Sequence, residues 1–269
     1  MHLNEQPGPY RREFADIPDQ QASEAALRDV NIPKTPATKL IVGINVAVFI
    51  AVGIATFGQR HDLNGFAMNP SDNVLSQWGI DYGPYTLNSE QYWRLLASTF
   101  LHANIMHIGF NMYAFWDAGR ASERLYGSGK FIFIYLFAGI AASLTSMFFN
   151  PQIASLGASG AIFGVFGAFL VFLRWHAASF DKAVVASVTR SIVMLVIINL
   201  IWGFSMPHID NAAHIGGFVF GTIAGVVCVP RDARSHAWSW RNALSALALL
   251  GMLYFGLQLD IAHFQTQVP

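Results

Sequence analysis

A single cysteine, Cys228, stands in 269 residues, which excludes an internal disulfide and any metal cluster built from cysteines. Charge is scarce as well. With 12% Asp, Glu, Lys and Arg against 54% apolar residues and 22 Phe, the chain falls outside the range of an ordinary soluble domain. Those charges sum to a formal net of zero, so nothing points to a nucleic-acid partner. No His-Glu-x-x-His sequence, repeat or low-complexity segment occurs. Residues 1–37 are polar and mix acids with bases, with neither the apolar core of a signal peptide nor the acid-poor pattern of a mitochondrial presequence. The first apolar stretch is therefore expected to serve as an uncleaved anchor.

What is present is lipid-soluble sequence. Seven apolar stretches are read at Thr38 to Phe57, Ala103 to Ala118, Phe131 to Phe149, Ser155 to Trp175, Ile192 to Met206, Asn211 to Val229 and Asn242 to Leu259. A crossing helix needs about 20 residues and tolerates about 17, so the second and fifth are short. The fold class is thus all-α, a polytopic transmembrane bundle. Cytoplasmic loops carry an excess of Lys and Arg. Seven spans place 14 of the 16 basic residues on one side and leave only Arg60 and Arg94 on the other. The N-terminus is expected in the cytoplasm and the C-terminus outside. The longest external connection, Gly58 to Trp93, is rich in aromatics, among them Trp78, Tyr82, Tyr85, Tyr92 and Trp93. It reads either as an interfacial brace or as an ordinary loop with an aromatic belt.

Within the spans, polar groups form a layer on one side. Under this topology the N-terminal ends of the even spans lie in the outer part of the membrane. Ser159 is expected four residues into the fourth span and His214 early in the sixth, each ~6 Å below its helix start. His107 and Asn111 begin the second. The inner halves of these spans are nearly free of ionisable groups, whereas a transporter would continue its polar chain to the other face. A serine and a histidine at matched depth make a nucleophile and its base. No Asp or Glu lies within the spans beyond their margins, which disfavours an aspartyl intramembrane protease, since that needs two acids.

Each group also has a structural use. A lone Gly-x-Ser-Gly in a membrane helix commonly serves close packing, and Gly160/Gly164 with Gly217/Gly221/Gly225 are small-xxx-small faces. His214 falls on that close-packed face, so packing and chemistry call for the same glycines if the two spans are neighbours. His107 and Asn111, four apart, share a helix face; they could donate to an oxyanion, and an interhelical hydrogen bond is the alternative for Asn111. His102 precedes His107 by five residues, a rotation of ~140° on a helix, so the two face one point only if His102 lies in a non-helical lead-in. Asp210 could orient His214 from one turn away or simply cap the helix, the commoner role of Asp at that position. Glu123, between Arg120 and Arg124, reads as structural.

Taken together, these residues resemble the rhomboid family of intramembrane serine proteases. The matching elements are Trp93-Arg94, His102-x-x-x-x-His107-x-x-x-Asn111, Gly157-Ala158-Ser159-Gly160 and Ala213-His214-x-x-Gly217-x-x-x-Gly221, in family order over residues 90–225. Glu123 also fits the family pattern. The resemblance implies a six-helix core, residues 38–230, with a short fourth helix beneath an external cavity. It sits between an N-terminal tail, 1–37, and a C-terminal addition, 231–269, that holds a cytoplasmic linker, the seventh span and a short external tail. It also implies Ser159 as nucleophile and His214 as general base and then acid. His107, Asn111 and the Ser159 backbone N–H would form the oxyanion hole, with His102 in support. Gly157, Gly160 and Gly217 belong to the motifs, and Trp93-Arg94 would brace the second and third spans. Phe163 stands where many relatives carry a tyrosine stacked on the histidine. Trp202, Phe204 and Met206, with Pro207 and His208, resemble the lateral gate and cap, and an aromatic belt is the alternative for the same residues.

The function so implied is cleavage of single-pass membrane proteins near the external end of their transmembrane segment by a Ser-His dyad. No metal or other cofactor is expected, and the partners are transmembrane substrates and lipid. By resemblance the location is a bacterial cytoplasmic membrane. The alternative is a catalytically idle rhomboid-like protein that binds or escorts membrane proteins. The natural substrate and the oligomeric state are not readable from the sequence.

Overall fold

The computed structural model describes residues 34–205, 209–232 and 236–267. Met206, Pro207, His208 and the basic residues Arg11, Arg12, Arg28 and Arg234 lie outside the described residues. From Thr35 onward the chain forms one compact unit. Its elements are α1 (Pro36–Arg60), α2 (Leu63–Ala67), α3 (Asp72–Trp78), α4 (Arg94–Ala97), α5 (Ile105–Tyr126), α6 (Ser128–Phe149), α7 (Ser159–Trp175), α8 (Lys182–Ser205), α9 (Asn211–Cys228) and α10 (Trp240–Gln267). There is no β-strand among the described residues. The seven long helices, α1 and α5 to α10, answer to the seven apolar stretches. Five of them, α1, α6, α8, α9 and α10, are long and apolar enough to cross a membrane, and α7 is a shorter apolar helix of 17 residues.

Helix ends depart from the hydropathy reading for identifiable reasons. The second span continues to Tyr126, past Arg120, Glu123 and Arg124, because Glu123 has an internal partner: its carboxylate accepts from Ala37 N–H (2.9 Å), Thr38 N–H (2.8 Å), Thr38 Oγ1 (2.7 Å) and Ser128 Oγ (2.7 Å). That carboxylate satisfies orphan donors at the first turn of α1, where Pro36 begins the helix. The turn between α5 and α6 is the single residue Gly127, so Arg120 and Arg124 are helical and not loop residues. The fifth span starts ten residues early, at Lys182, because its polar residues Ser187, Thr189 and Arg190 fit a peripheral helix. The fourth begins late: Ser155 to Ala158 are not helical, and Ser159 is the first residue of α7.

α6, α7 and α9 make the centre of the bundle, with α7 against α9 the most extensive contact and α6 packed on both. α5 packs on α7 and α1 on α5, while α10 leans on α6 and α9. α8 is the least buried of the five apolar spans. An aromatic and aliphatic core of Phe115, Phe131, Tyr135, Ile162, Phe163 and Phe166 lies among α5, α6 and α7.

The loop between α1 and α5 is folded. Arg94, buried, donates from Nε to Gln91 Oε1 (2.8 Å) and from Nη1 to the carbonyls of Ser76 (2.7 Å) and Ile80 (3.1 Å), with its guanidinium 4.9 Å from the ring centres of Trp93 and Tyr85. Asp81 and Ser155 exchange both backbone hydrogen bonds (3.0 and 2.8 Å), and Gly83 N–H donates to Pro151 O (2.9 Å). Ser143 Oγ on α6 donates to Leu95 O (3.0 Å). The loop is thereby fastened to α6 and to the segment leading into α7.

Candidate active site

The site is assembled from two helix starts. Gly157, at φ 132°, occupies a backbone region that side chains rarely adopt, so the chain turns sharply there and α7 begins two residues later with Ser159. α9 begins at Asn211, its N-cap Asp210 accepting the Ala213 N–H at 2.9 Å, and this puts His214 on the first turn. The capping reading of Asp210 is the one the structure adopts.

The small faces let the two helices meet. A methyl group placed on Gly217 would fall 2.0 Å from Gly160 O, and one on Gly221 would fall 2.1 Å from Gly164 Cα. Only glycine allows this approach, and it brings His214 Nε2 to 2.9 Å from Ser159 Oγ. The imidazole is buried and stacked on Phe163, ring centres 4.3 Å apart and planes 7° apart. His214 Nδ1 has no hydrogen-bond partner among the described residues. No carboxylate among the described residues is hydrogen-bonded to the imidazole.

Donors lie beside it. Asn104 caps α5 by accepting the His107 N–H at 2.9 Å, which fixes the first turn. His107 Nδ1 accepts from Ala103 N–H (3.4 Å), leaving the proton of a neutral ring on Nε2. That edge lies over Gly157: a methyl group there would be 2.9 Å from His107 Nε2 and 3.8 Å from Ser159 Oγ. His102 occupies the non-helical lead-in to α5, buried, its ring edge-on to His107 at 5.1 Å. One turn below His107, Asn111 is buried with its Nδ2 unpartnered among the described residues. An unused buried donor carries a desolvation cost, and a developing negative oxygen would offset it. The N–H groups of the first turn of α7 are likewise free of intrahelical acceptors. Such an arrangement can activate a hydroxyl and receive an oxyanion.

Against this geometry, the rhomboid domain family matches residues 89–231, a span that holds every one of these groups. The chain belongs to the rhomboid family. This rhomboid is 35% identical over 89% of its length to Rhomboid protease GluP of Bacillus subtilis, covering 44% of that protein. It is 33% identical over 61% of its length to RHOMBOID-like protein 1 of Arabidopsis thaliana, covering 41% of it. With Rhomboid-like protease 3 of Toxoplasma gondii it shares 30% identity over 75% of its own length and 73% of the relative's. The chain thus spans less than half the length of the first two. It is an integral, multi-pass membrane protein, and the relatives from Bacillus subtilis and Toxoplasma gondii are named as proteases.

Two candidate groups lie apart from the Ser159–His214 pair. Trp93 and Arg94 organise the first loop, as described above. Trp202 and Phe204 are exposed at the end of α8, while the rest of the expected gate and cap lies outside the described residues. Sequence reading missed the partners of Asp210 beyond its cap. Its second carboxylate oxygen accepts from Ser155 Oγ (2.6 Å) and from Ser146 Oγ. The signal available was an Asp four residues before His214, with no hint of which hydroxyls it meets.

Proposed function

We propose that this rhomboid is a serine endopeptidase that cleaves single-pass membrane proteins near the external end of their transmembrane segment. The observation that carries the reading is the 2.9 Å contact between His214 Nε2 and Ser159 Oγ. A base within hydrogen-bond reach of a hydroxyl is the geometry that makes a nucleophile at neutral pH.

In this mechanism His214 takes the Ser159 proton on Nε2 as Oγ adds to the scissile carbonyl carbon. The carbonyl electrons move to oxygen, where His107, Asn111 and the Ser159 N–H donate to it; removing one such donor typically costs 10²–10³ in rate. His214 then passes its proton to the departing amine, and the C–N bond breaks. Water, deprotonated by His214, adds to the acyl-enzyme and restores Ser159. The substrate helix must unwind at the cleavage point, because amides bonded within a helix are shielded from attack. Small or helix-breaking residues are therefore favoured there. The basic-residue bias supports an orientation with the site towards the external side, and a bacterial cytoplasmic membrane suits that orientation.

The test is cleavage of single-span reporters co-reconstituted in liposomes, comparing the wild type with Ser159→Ala and His214→Ala. Cleavage near the external boundary that both substitutions abolish in folded protein supports the proposal. A folded wild type that cleaves no reporter of a broad panel, and whose Ser159 does not react with a fluorophosphonate, favours a binding or escort role.

A further inference from the structure

The 2.9 Å gap between His214 and Ser159 depends on how the first turn of α9 sits against the first turn of α7. Below the dyad, the glycine faces fix that relation. Above it, the two helix starts are joined by Asp210. Its Oδ1 caps α9 through Ala213 N–H (2.9 Å), and its carbonyl accepts the N–H of His214 itself (3.1 Å). Its Oδ2 reaches outside α9 altogether. It accepts from Ser155 Oγ (2.6 Å), four residues before the nucleophile, and from Ser146 Oγ at the end of α6. Ser155 is held from its other side by the double backbone bond to Asp81.

A helix cap needs one oxygen. The second oxygen serves the two segments that carry and support Ser159. The carboxylate makes no hydrogen bond to the imidazole, since His214 Nδ1 has no partner among the described residues. We propose that Asp210 is a positioning residue: by clamping Ser155 and Ser146 to the start of α9, it sets the distance between nucleophile and base. The inference rests on the Ser159–His214 reading above. Misplacement of reacting groups by about 1 Å can cost on the order of 10²-fold in rate, so a clamp on this gap is felt in turnover and not in substrate binding.

Asp210→Ser separates the two uses of the residue, because serine is a good N-cap but is too short to hold both hydroxyls. Ser155→Ala removes one arm and leaves the cap intact. In detergent-solubilised full-length protein, fluorophosphonate labelling of Ser159 and reporter cleavage are measured beside the thermal midpoint. Asp210→Ser is expected to lower kcat and the labelling rate in parallel by at least roughly tenfold, with KM unchanged. Ser155→Ala is expected to lower both less, and the double variant should lose no more than Asp210→Ser alone. Wild-type rates in both single variants overturn the clamp while leaving the dyad standing. A fall in KM-dependent binding with kcat unchanged also overturns it. Should Asp210→Ser not fold, Ser155→Ala decides: a slower kcat at an unchanged thermal midpoint supports the clamp, and a wild-type rate removes it. Failure of the wild type itself to label or cleave overturns the dyad and this proposal together.

Discussion

The rings of Phe163 and His214 lie parallel, 4.3 Å between centres, and this stack orients an imidazole whose Nδ1 has no hydrogen-bond partner among the described residues. Phe163 is one turn after Ser159 on α7, so the helix that carries Ser159 also supplies the surface on which the His214 ring rests. Phe163→Leu keeps most of the volume and removes the ring. An aromatic pair is worth about 0.5–1.5 kcal/mol beyond area, so kcat is expected to fall by about 2- to 13-fold, with a small drop in the thermal midpoint because Phe163 is buried. Phe163→Tyr should stay close to wild type in the same reporter assay.

Gly157→Ala tests the other wall. At φ 132° an alanine is strained, and its methyl group would stand 2.8 Å from His107 Cε1. The imidazole has to shift, taking its Nε2 away from the position beside Ser159 Oγ. Turnover of a reporter is expected to drop about 10²-fold, while the His214–Ser159 contact persists and fluorophosphonate labelling falls less than peptide cleavage does.

How much of this was legible from the chain alone depends on the range of the interaction. The seven spans and their order followed from local composition, and the glycine faces and the His107/Asn111 face followed from helical periodicity. The ends were misread wherever a distant partner decides them. Arg120 to Arg124 look like a loop until Glu123 is seen to cap α1, more than 80 residues away. Ser155 to Ala158 look like helix until Gly157 adopts its left-handed φ, which a hydropathy window does not register. The pairing of Asp81 with Ser155 and the hydroxyls on Asp210 join residues 55 or more apart, and no periodic pattern encodes such a contact.

Glu123→Ala removes the acceptor for four donors. Leaving buried donors unsatisfied costs about 1–3 kcal/mol each, not additively. The variant is expected to be destabilised by about 3 kcal/mol in total, read as a lower thermal or denaturant midpoint in detergent. Glu123→Gln, which keeps one acceptor oxygen, should fall between.

Asp81 gives the first loop a dependence on pH. Burial pushes its carboxyl up from 3.8 to about 7, with the neighbouring Asp210 charge adding to this and the Thr86 hydroxyl and Arg94 opposing. Thr86 Oγ1 donates to Oδ1 at 2.7 Å, and Oδ2 has no partner among the described residues. The folded state therefore holds this proton more tightly than the unfolded chain. The stability it contributes is full below pH 3.8 and is lost as pH rises through about 7. Thermal midpoints of the wild type should fall between pH 5 and 8, with a slope of at most about 1.4 kcal/mol per pH unit from this group. Asp81→Asn should flatten that part of the profile, and an equal slope in the variant would assign the pH dependence to another group.

Gly221→Ala joins packing to chemistry. Its new methyl group would lie 2.1 Å from Gly164 Cα and 2.4 Å from Gly164 O, both backbone atoms, so no side chain can turn aside to make room. α7 and α9 have to separate. Overpacking of this kind costs about 1–3 kcal/mol, which lowers the thermal midpoint. Gly221 lies two turns beyond His214 on the same face, so the separation also opens the Ser159–His214 contact. Reporter cleavage is expected to fall at temperatures well below the new midpoint, about tenfold or more for a displacement approaching 1 Å. Gly251→Ala is the control, because a methyl group there meets nothing within 4 Å; it should leave the rate unchanged and the midpoint no lower, since alanine favours a helix interior over glycine. A variant at Gly221 that loses stability but cleaves at the wild-type rate in its folded state would show that the glycine face serves packing alone.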